Sequence, residues 1–145
     1  MTITRAMPPI IRQSRIDTCW AAILESWSRI DGRLPHLRQE ALIDQWGEGS
    51  TGGITPRIKI PAISREYGLQ FGGFAGGELV ARLEQFLSQS HMFCAYTRGS
   101  YTHAVLIYRM SDRGNISYID PDGGHDRWQT VDWFNHRGPY ILMRK

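Results

Sequence analysis

The chain predicts an α+β domain, with N-terminal helices packed on a C-terminal antiparallel sheet. Helical periodicity fills the first half, short β-rich runs fill the second, and no linker separates them. Trp20, Ile23, Leu24, Trp27 and Ile30 fall at the i, i+3, i+4 and i+7 spacing of a buried helical face. Asp17 or Thr18 can cap that helix, and Asp31-Gly32 ends it. A second helix is expected from about Leu37 to Trp46. A third runs from about Arg57 to Tyr67, with Pro56 or Pro61 in its first turns. Leu69 to Phe74 reads as a short strand, and Glu78 to Ser88 as a helix turning Leu79, Leu83, Phe86 and Leu87 inward. Strands follow at His91–Thr97, His103–Met110, Ile116–Asp120 and Tyr140–Arg144, with a short helical turn at Thr130–Phe134.

At 145 residues the chain is one domain spanning 1–145, large enough to bury roughly two-thirds of its unfolded surface. A hydrophobic share of 41% and five tryptophans argue for a packed core. The net charge of +3 is spread along the chain without a run of Lys or Arg, whereas nucleic-acid binding wants a concentrated stripe. No stretch reaches the length of a membrane span, and Met1 to Pro9 lack the apolar core of a signal peptide. The expectation is therefore a protein of the cytoplasm, or one delivered to a target cell by a route needing no cleaved signal. Both cysteines, Cys19 and Cys94, read as reduced thiols, with Cys94 a small core residue in an apolar strand.

Chemistry concentrates at Gln13-Ser14-Arg15-Ile16-Asp17-Thr18-Cys19-Trp20. A cysteine that opens a helix meets the partial positive charge and unpaired N–H groups of the first turn, which favour the nucleophilic thiolate. Its own N–H and the side-chain amide of Gln13 could converge on the oxyanion formed at an attacked carbonyl. The base expected is His103, at the head of the run His103-Ala104-Val105-Leu106-Ile107. Asp120 ends the neighbouring strand, so a hairpin brings it to the edge that carries His103. There it can orient the imidazole and fix its tautomer.

In this order, glutamine, cysteine, histidine and aspartate resemble a papain-like cysteine peptidase. The likeness is nearest to the leader-peptidase domains of bacterial peptide-exporting ABC transporters, which cut after a double glycine. Leu37-Arg38-Gln39-Glu40-Ala41-Leu42, the glycine-rich Gly47–Gly53, Pro61–Leu69 and Tyr118-Ile119-Asp120-Pro121 resemble further parts of that family. Together they cover most of residues 10–143. The resemblance implies catalytic Cys19, His103 and Asp120 with Gln13 at the oxyanion, no cofactor and no metal. It implies a protein or peptide substrate, and cleft walls from Trp20, Tyr101 and Thr102. Two departures stand out. Trp20 follows the nucleophile, as in plant and lysosomal papain relatives, where leader peptidases more often have glycine. No transporter is expected beside the domain. A small free-standing peptidase also resembles injected effectors and interbacterial toxins, whose partner would be an immunity protein blocking the cleft.

Taken singly, each of these residues has an ordinary explanation. A cysteine before a helix is usually packing, a strand histidine is usually a hydrogen-bonded core residue, and Gln13 alone would be a loop amide. Only their combination points to nucleophilic catalysis. His36, His91, His125 and His136 are weaker bases, His125 being the reserve because it lies near Asp120. Asp122 rivals Asp120 as the orienting acid but stands in Pro121-Asp122-Gly123-Gly124, where aspartate commonly makes a turn. The glycine pairs, including Gly76-Gly77, read as turns, and none has the Lys and Ser/Thr of a phosphate loop. The same acyl-enzyme chemistry serves amidases, glutamine deamidases and transglutaminases, and a degenerate fold could be a non-catalytic binding module.

Overall fold

The computed structural model describes residues 2–73 and 78–144. The expected Gly76-Gly77 turn, Phe74 as the end of a strand and the inward side chain of Leu79 lie outside the described residues. Helix α1 spans Cys19–Ile30, and every residue from Cys19 to Ser28 is buried. A helix apolar around so much of its circumference belongs inside the protein, and α1 packs across the sheet strand that carries His103. Thr18 stands at its N-cap position without capping it. The Thr18 hydroxyl instead accepts from the Arg15 N–H at 3.0 Å and donates to the Arg15 carbonyl at 3.1 Å, closing the turn before Cys19.

Helix α2 covers Gln39–Trp46, starting two residues later than expected. Helix α3 covers Pro56–Tyr67, with Pro56 in its first turn and Pro61 inside it. It ends at Gly68, whose φ of 64° is the left-handed conformation that glycine adopts without strain. Helix α4 covers Glu78–Leu87, burying Leu83 and Leu87 as expected, and α5 covers Val131–Asn135.

The strands are β1 Ile3–Thr4, β2 Leu69–Gly73, β3 Met92–Arg98, β4 Tyr101–Met110, β5 Asn115–Asp120, β6 His125–Thr130 and β7 Tyr140–Arg144. They form one antiparallel sheet in the order β2-β7-β3-β4-β5-β6, with β1 added to the end of β4. Two of them, β1 and β6, are absent from the sequence reading. Strand β6, His-Asp-Arg-Trp-Gln-Thr, is exposed along almost its whole length at the sheet edge and so carries no alternation of apolar and polar residues. The sheet divides the core in two. Phe93, Ala95, Ala104, Leu106 and Ile119 meet α1, while Met92, Cys94, Val105, Ile107 and Tyr118 belong to a second cluster with α4 and α5. The arrangement is the expected α+β fold, with the N-terminal helices on a C-terminal sheet.

Candidate active site

The hairpin of β3 and β4 turns at Gly99-Ser100, so Arg98 pairs with Tyr101 and Tyr96 with His103. That register puts His103 at the head of the buried part of β4, 2% exposed. Its Nε2 donates to Oδ1 of Asp120 at 2.8 Å. The Cys19 thiol lies within hydrogen-bonding reach of the same ring. Nδ1, the nitrogen that Asp120 does not occupy, is therefore the one available to Cys19. The ring of Tyr96 stands edge-on to the imidazole at 5.6 Å and limits its tilt.

Burial alone would lower the pKa of His103. The hydrogen bonds to Asp120 and Cys19 and the negative charge they can carry outweigh it, raising the pKa to about 9. Asp120 is 4% exposed. Burial raises its pKa, yet the bonds from His103 and from the Asp122 N–H, with the charges of His103 and Arg127, hold it below the ordinary carboxylate value.

The rival assignments separate on geometry. Asp122 is half exposed and its carboxylate faces Arg98 at 3.0 Å, while its backbone N–H donates to Asp120 at 3.0 Å, so it supports the Asp120 carboxylate. His125 lies directly across from Asp120 in the β5–β6 pairing, but its ring sits over Gly123. His91 is buried with Nε2 donating to the Ala6 carbonyl at 2.6 Å, and His136 donates from Nδ1 to the Asp132 carbonyl at 2.6 Å. His36 is exposed. Cys94 is fully buried among apolar strands, and its thiol pKa is pushed far up by burial. Both cysteines are free thiols.

Gln13 is placed differently from the sequence expectation. Its Nε2 donates to the carbonyls of Arg15 at 2.9 Å and Ile16 at 2.8 Å. Its Oε1 is buried without a hydrogen-bond partner. Two carbonyls so close to the amide select its nitrogen, and both amide hydrogens are then used inside the loop. In this arrangement Gln13 braces the turn before Cys19 and offers no donor to the cleft. The donors that remain for an oxyanion are the first N–H groups of α1, since the helical bonds begin with Ala21 and Ala22 bonding back to Thr18.

A cleft of about 470 Å³ opens over Cys19 and His103. Trp20, Tyr101 and Thr102 line it, joined by Glu48, Ile54, Pro56 and other residues between 48 and 56. Trp20 is a fixed wall, 3% exposed, with its indole Nε1 donating to the Gly52 carbonyl at 3.1 Å. Tyr101 is a half-exposed one. Sequence reasoning missed Tyr96 and Arg127. The two-residue Gly99-Ser100 turn could have revealed Tyr96, since it sets the pairing with His103. Arg127 sits on the unanticipated β6. Among the described residues no group of three His, Cys, Asp or Glu side chains is arranged to hold a metal ion.

No protein-family model matches the chain, and no curated protein matches it. Among solved structures, the fold is similar to the crystal structure of the peptidase domain of ComA from Streptococcus, a bifunctional ABC transporter involved in a quorum-sensing pathway. The TM-score is 0.65 at 16% identity, covering 94% of this chain and 98% of that one.

Proposed function

We propose that this chain is a papain-like cysteine peptidase that hydrolyses a protein or peptide substrate, with Cys19 as nucleophile, His103 as base and acid, and Asp120 as orienter. The observation that carries this reading is the buried series Asp120, His103 and Cys19, in which Cys19 and His103 line one cleft and Asp120 stands behind the imidazole. In the proposed cycle the Cys19 thiol passes its proton to Nδ1 of His103, and the thiolate adds to the substrate carbonyl carbon. The oxyanion forms beside the N-terminus of α1, where the Cys19 N–H is the nearest donor in the helix and the aligned peptide dipoles favour negative charge. His103 returns the proton to the departing amine as the C–N bond breaks, leaving a thioester on Cys19. Water, giving a proton to His103, then cleaves the thioester and releases the acid. Asp120 keeps Nε2–H engaged, so that Nδ1 does the proton work.

Peptide hydrolysis is preferred over amidase, deamidase or transglutaminase chemistry because the similar solved fold is a peptidase domain. Cleavage after paired glycines is the specificity that the sequence resemblance supports. The test is to express the protein and its Cys19→Ala variant in bacteria and map new protein N-termini by mass spectrometry. New termini preceded by Gly-Gly, present only with Cys19, support the reading. Absence of any new termini, with no labelling of Cys19 by a thiol-directed epoxide, overturns it.

A further inference from the structure

The carboxylate of Asp120 serves more than the histidine. Oδ1 accepts from His103 Nε2 at 2.8 Å and from the Asp122 N–H at 3.0 Å, while Oδ2 faces Nε of Arg127 at 3.2 Å. Arg127 belongs to β6, which pairs with β5 next to Asp120. Its side chain is 48% exposed against 6% for that of Asp120, so one end of the pair is wet and the other dry. Around the imidazole stand Cys19 from α1, Tyr96 from β3 and Asp120 from β5. Around Asp120 stand Arg127 from β6, Tyr118 from its own strand, and Asp122, itself paired with Arg98 of β3. Arg127 is the cation directly against the carboxylate oxygen that His103 leaves unused.

We propose that Arg127 is a positioning residue of this site, acting through Asp120: it holds Oδ2, leaves Oδ1 to His103, and offsets part of the negative charge that retains the proton on the imidazole. The proposal rests on the roles given above to Cys19 and His103. Its consequence has a definite sign. A carboxylate relieved of a neighbouring cation attracts the imidazolium more strongly, so His103 keeps its proton to higher pH. With a nucleophile that works beside a protonated histidine, the alkaline limit of the site follows.

The experiment is an NMR titration of the His103 ring in the full chain, comparing wild type with Arg127→Gln and Arg127→Lys. The rate of Cys19 alkylation by iodoacetamide is followed over the same pH range. Arg127→Gln is expected to move the His103 titration upward by about half a pH unit, with the alkaline feature of the alkylation profile moving alike. Arg127→Lys should stay close to wild type. An Arg127→Gln titration that does not move, or that moves downward, overturns the proposal, as does a Lys variant that behaves like Gln. Arg127→Met repeats the comparison should the Gln variant not fold. Because the NMR reading needs no turnover, a failure of the peptidase assignment and a failure of this one are separable. The first shows as an unreactive Cys19, the second as an unmoved His103.

Discussion

The backbone N–H of Gln13 donates to the carbonyl of Pro121 at 2.9 Å, joining the loop that leads into Cys19 to the turn that follows Asp120. Cys19 and Asp120 come from opposite ends of the chain, and this bond holds their supporting loops together. Gln39 adds to the same scaffold from α2. Its side chain accepts from the Ser14 N–H at 2.8 Å and donates to the Arg12 carbonyl at 3.0 Å. The placement of the site thus rests on backbone groups of residues 12–16, held by the side-chain amides of Gln13 and Gln39.

Gln13 belongs to that scaffold, and its substitution separates two roles. Gln13→Ala removes both bonds to the Arg15 and Ile16 carbonyls. It should cost about 1–2 kcal/mol of stability, and turnover should fall by about 10² as the turn loosens. Gln13→Glu should be worse, since a carboxylate would face two carbonyl oxygens. Thermal melts beside kinetics decide the matter. A loss of turnover with an unchanged Tm would assign Gln13 to the oxyanion after all.

Asp120→Asn tests the histidine. Wild-type His103 has its pKa raised from 6.5 to about 9, because its partners overcome burial. The stability this gives is complete below the unfolded value and is lost as pH rises through about 9. With Asn the charge is gone while the shape remains, so burial dominates and the pKa falls. The variant should therefore be less stable than wild type near pH 6, with the gap closing toward pH 10. Its alkaline activity limit should move to lower pH. Melts and rate profiles across that range check both, and an alkaline limit that stays in place would remove Asp120 from the proton chemistry.

Much of this was readable in the chain because the decisive elements bury one kind of surface. Helix α1 shows itself by apolar spacing, and β4 and β5 by apolar runs, so Cys19, His103 and Asp120 could be joined before any coordinates. Legibility ends where structure is set by other means. Strand β6 is held by backbone pairing to β5 with its side chains in solvent, which leaves no hydrophobic pattern to read. Without it Arg127 has no address. The side chain of Gln13 could not be oriented either, since its direction depends on carbonyls two and three residues further along a loop that has no periodicity. Spacing to Cys19 carries no such information.

The two cysteines should behave oppositely. Cys19→Ala and His103→Ala should each abolish turnover while leaving the fold, since what remains without nucleophile or base is only binding and oxyanion effects. Cys94→Ser should retain most turnover. It should nonetheless melt earlier, by roughly 1–3 kcal/mol, because a hydroxyl would replace a fully buried thiol among apolar strands. Activity assays and thermal melts on the same preparations check the pair of claims. An essential Cys94 beside a dispensable Cys19 would remove the proposed mechanism.

Trp20 gives the specificity claim its sharpest test. Its indole is fixed by the bond from Nε1 to the Gly52 carbonyl. Gly52 has little freedom to yield: its φ is 73°, and a Cβ there would come within 2.9 Å of Ile43 and 3.0 Å of Thr18. The wall beside Cys19 is therefore rigid, and a substrate passing it should tolerate no side chain next to the scissile bond. With wild type, replacing the second glycine of a Gly-Gly peptide by alanine should reduce kcat/KM by roughly 10–200-fold, the cost of one misplaced methyl group. Trp20→Phe keeps the bulk but loses the bond, and should blunt this discrimination. Trp20→Ala opens the wall and should blunt it further, with turnover of the glycine peptide less affected. Competition between the two peptides, read by mass spectrometry, measures the ratio directly. Equal cutting of both by wild type would leave the cysteine mechanism standing and dismiss the glycine preference.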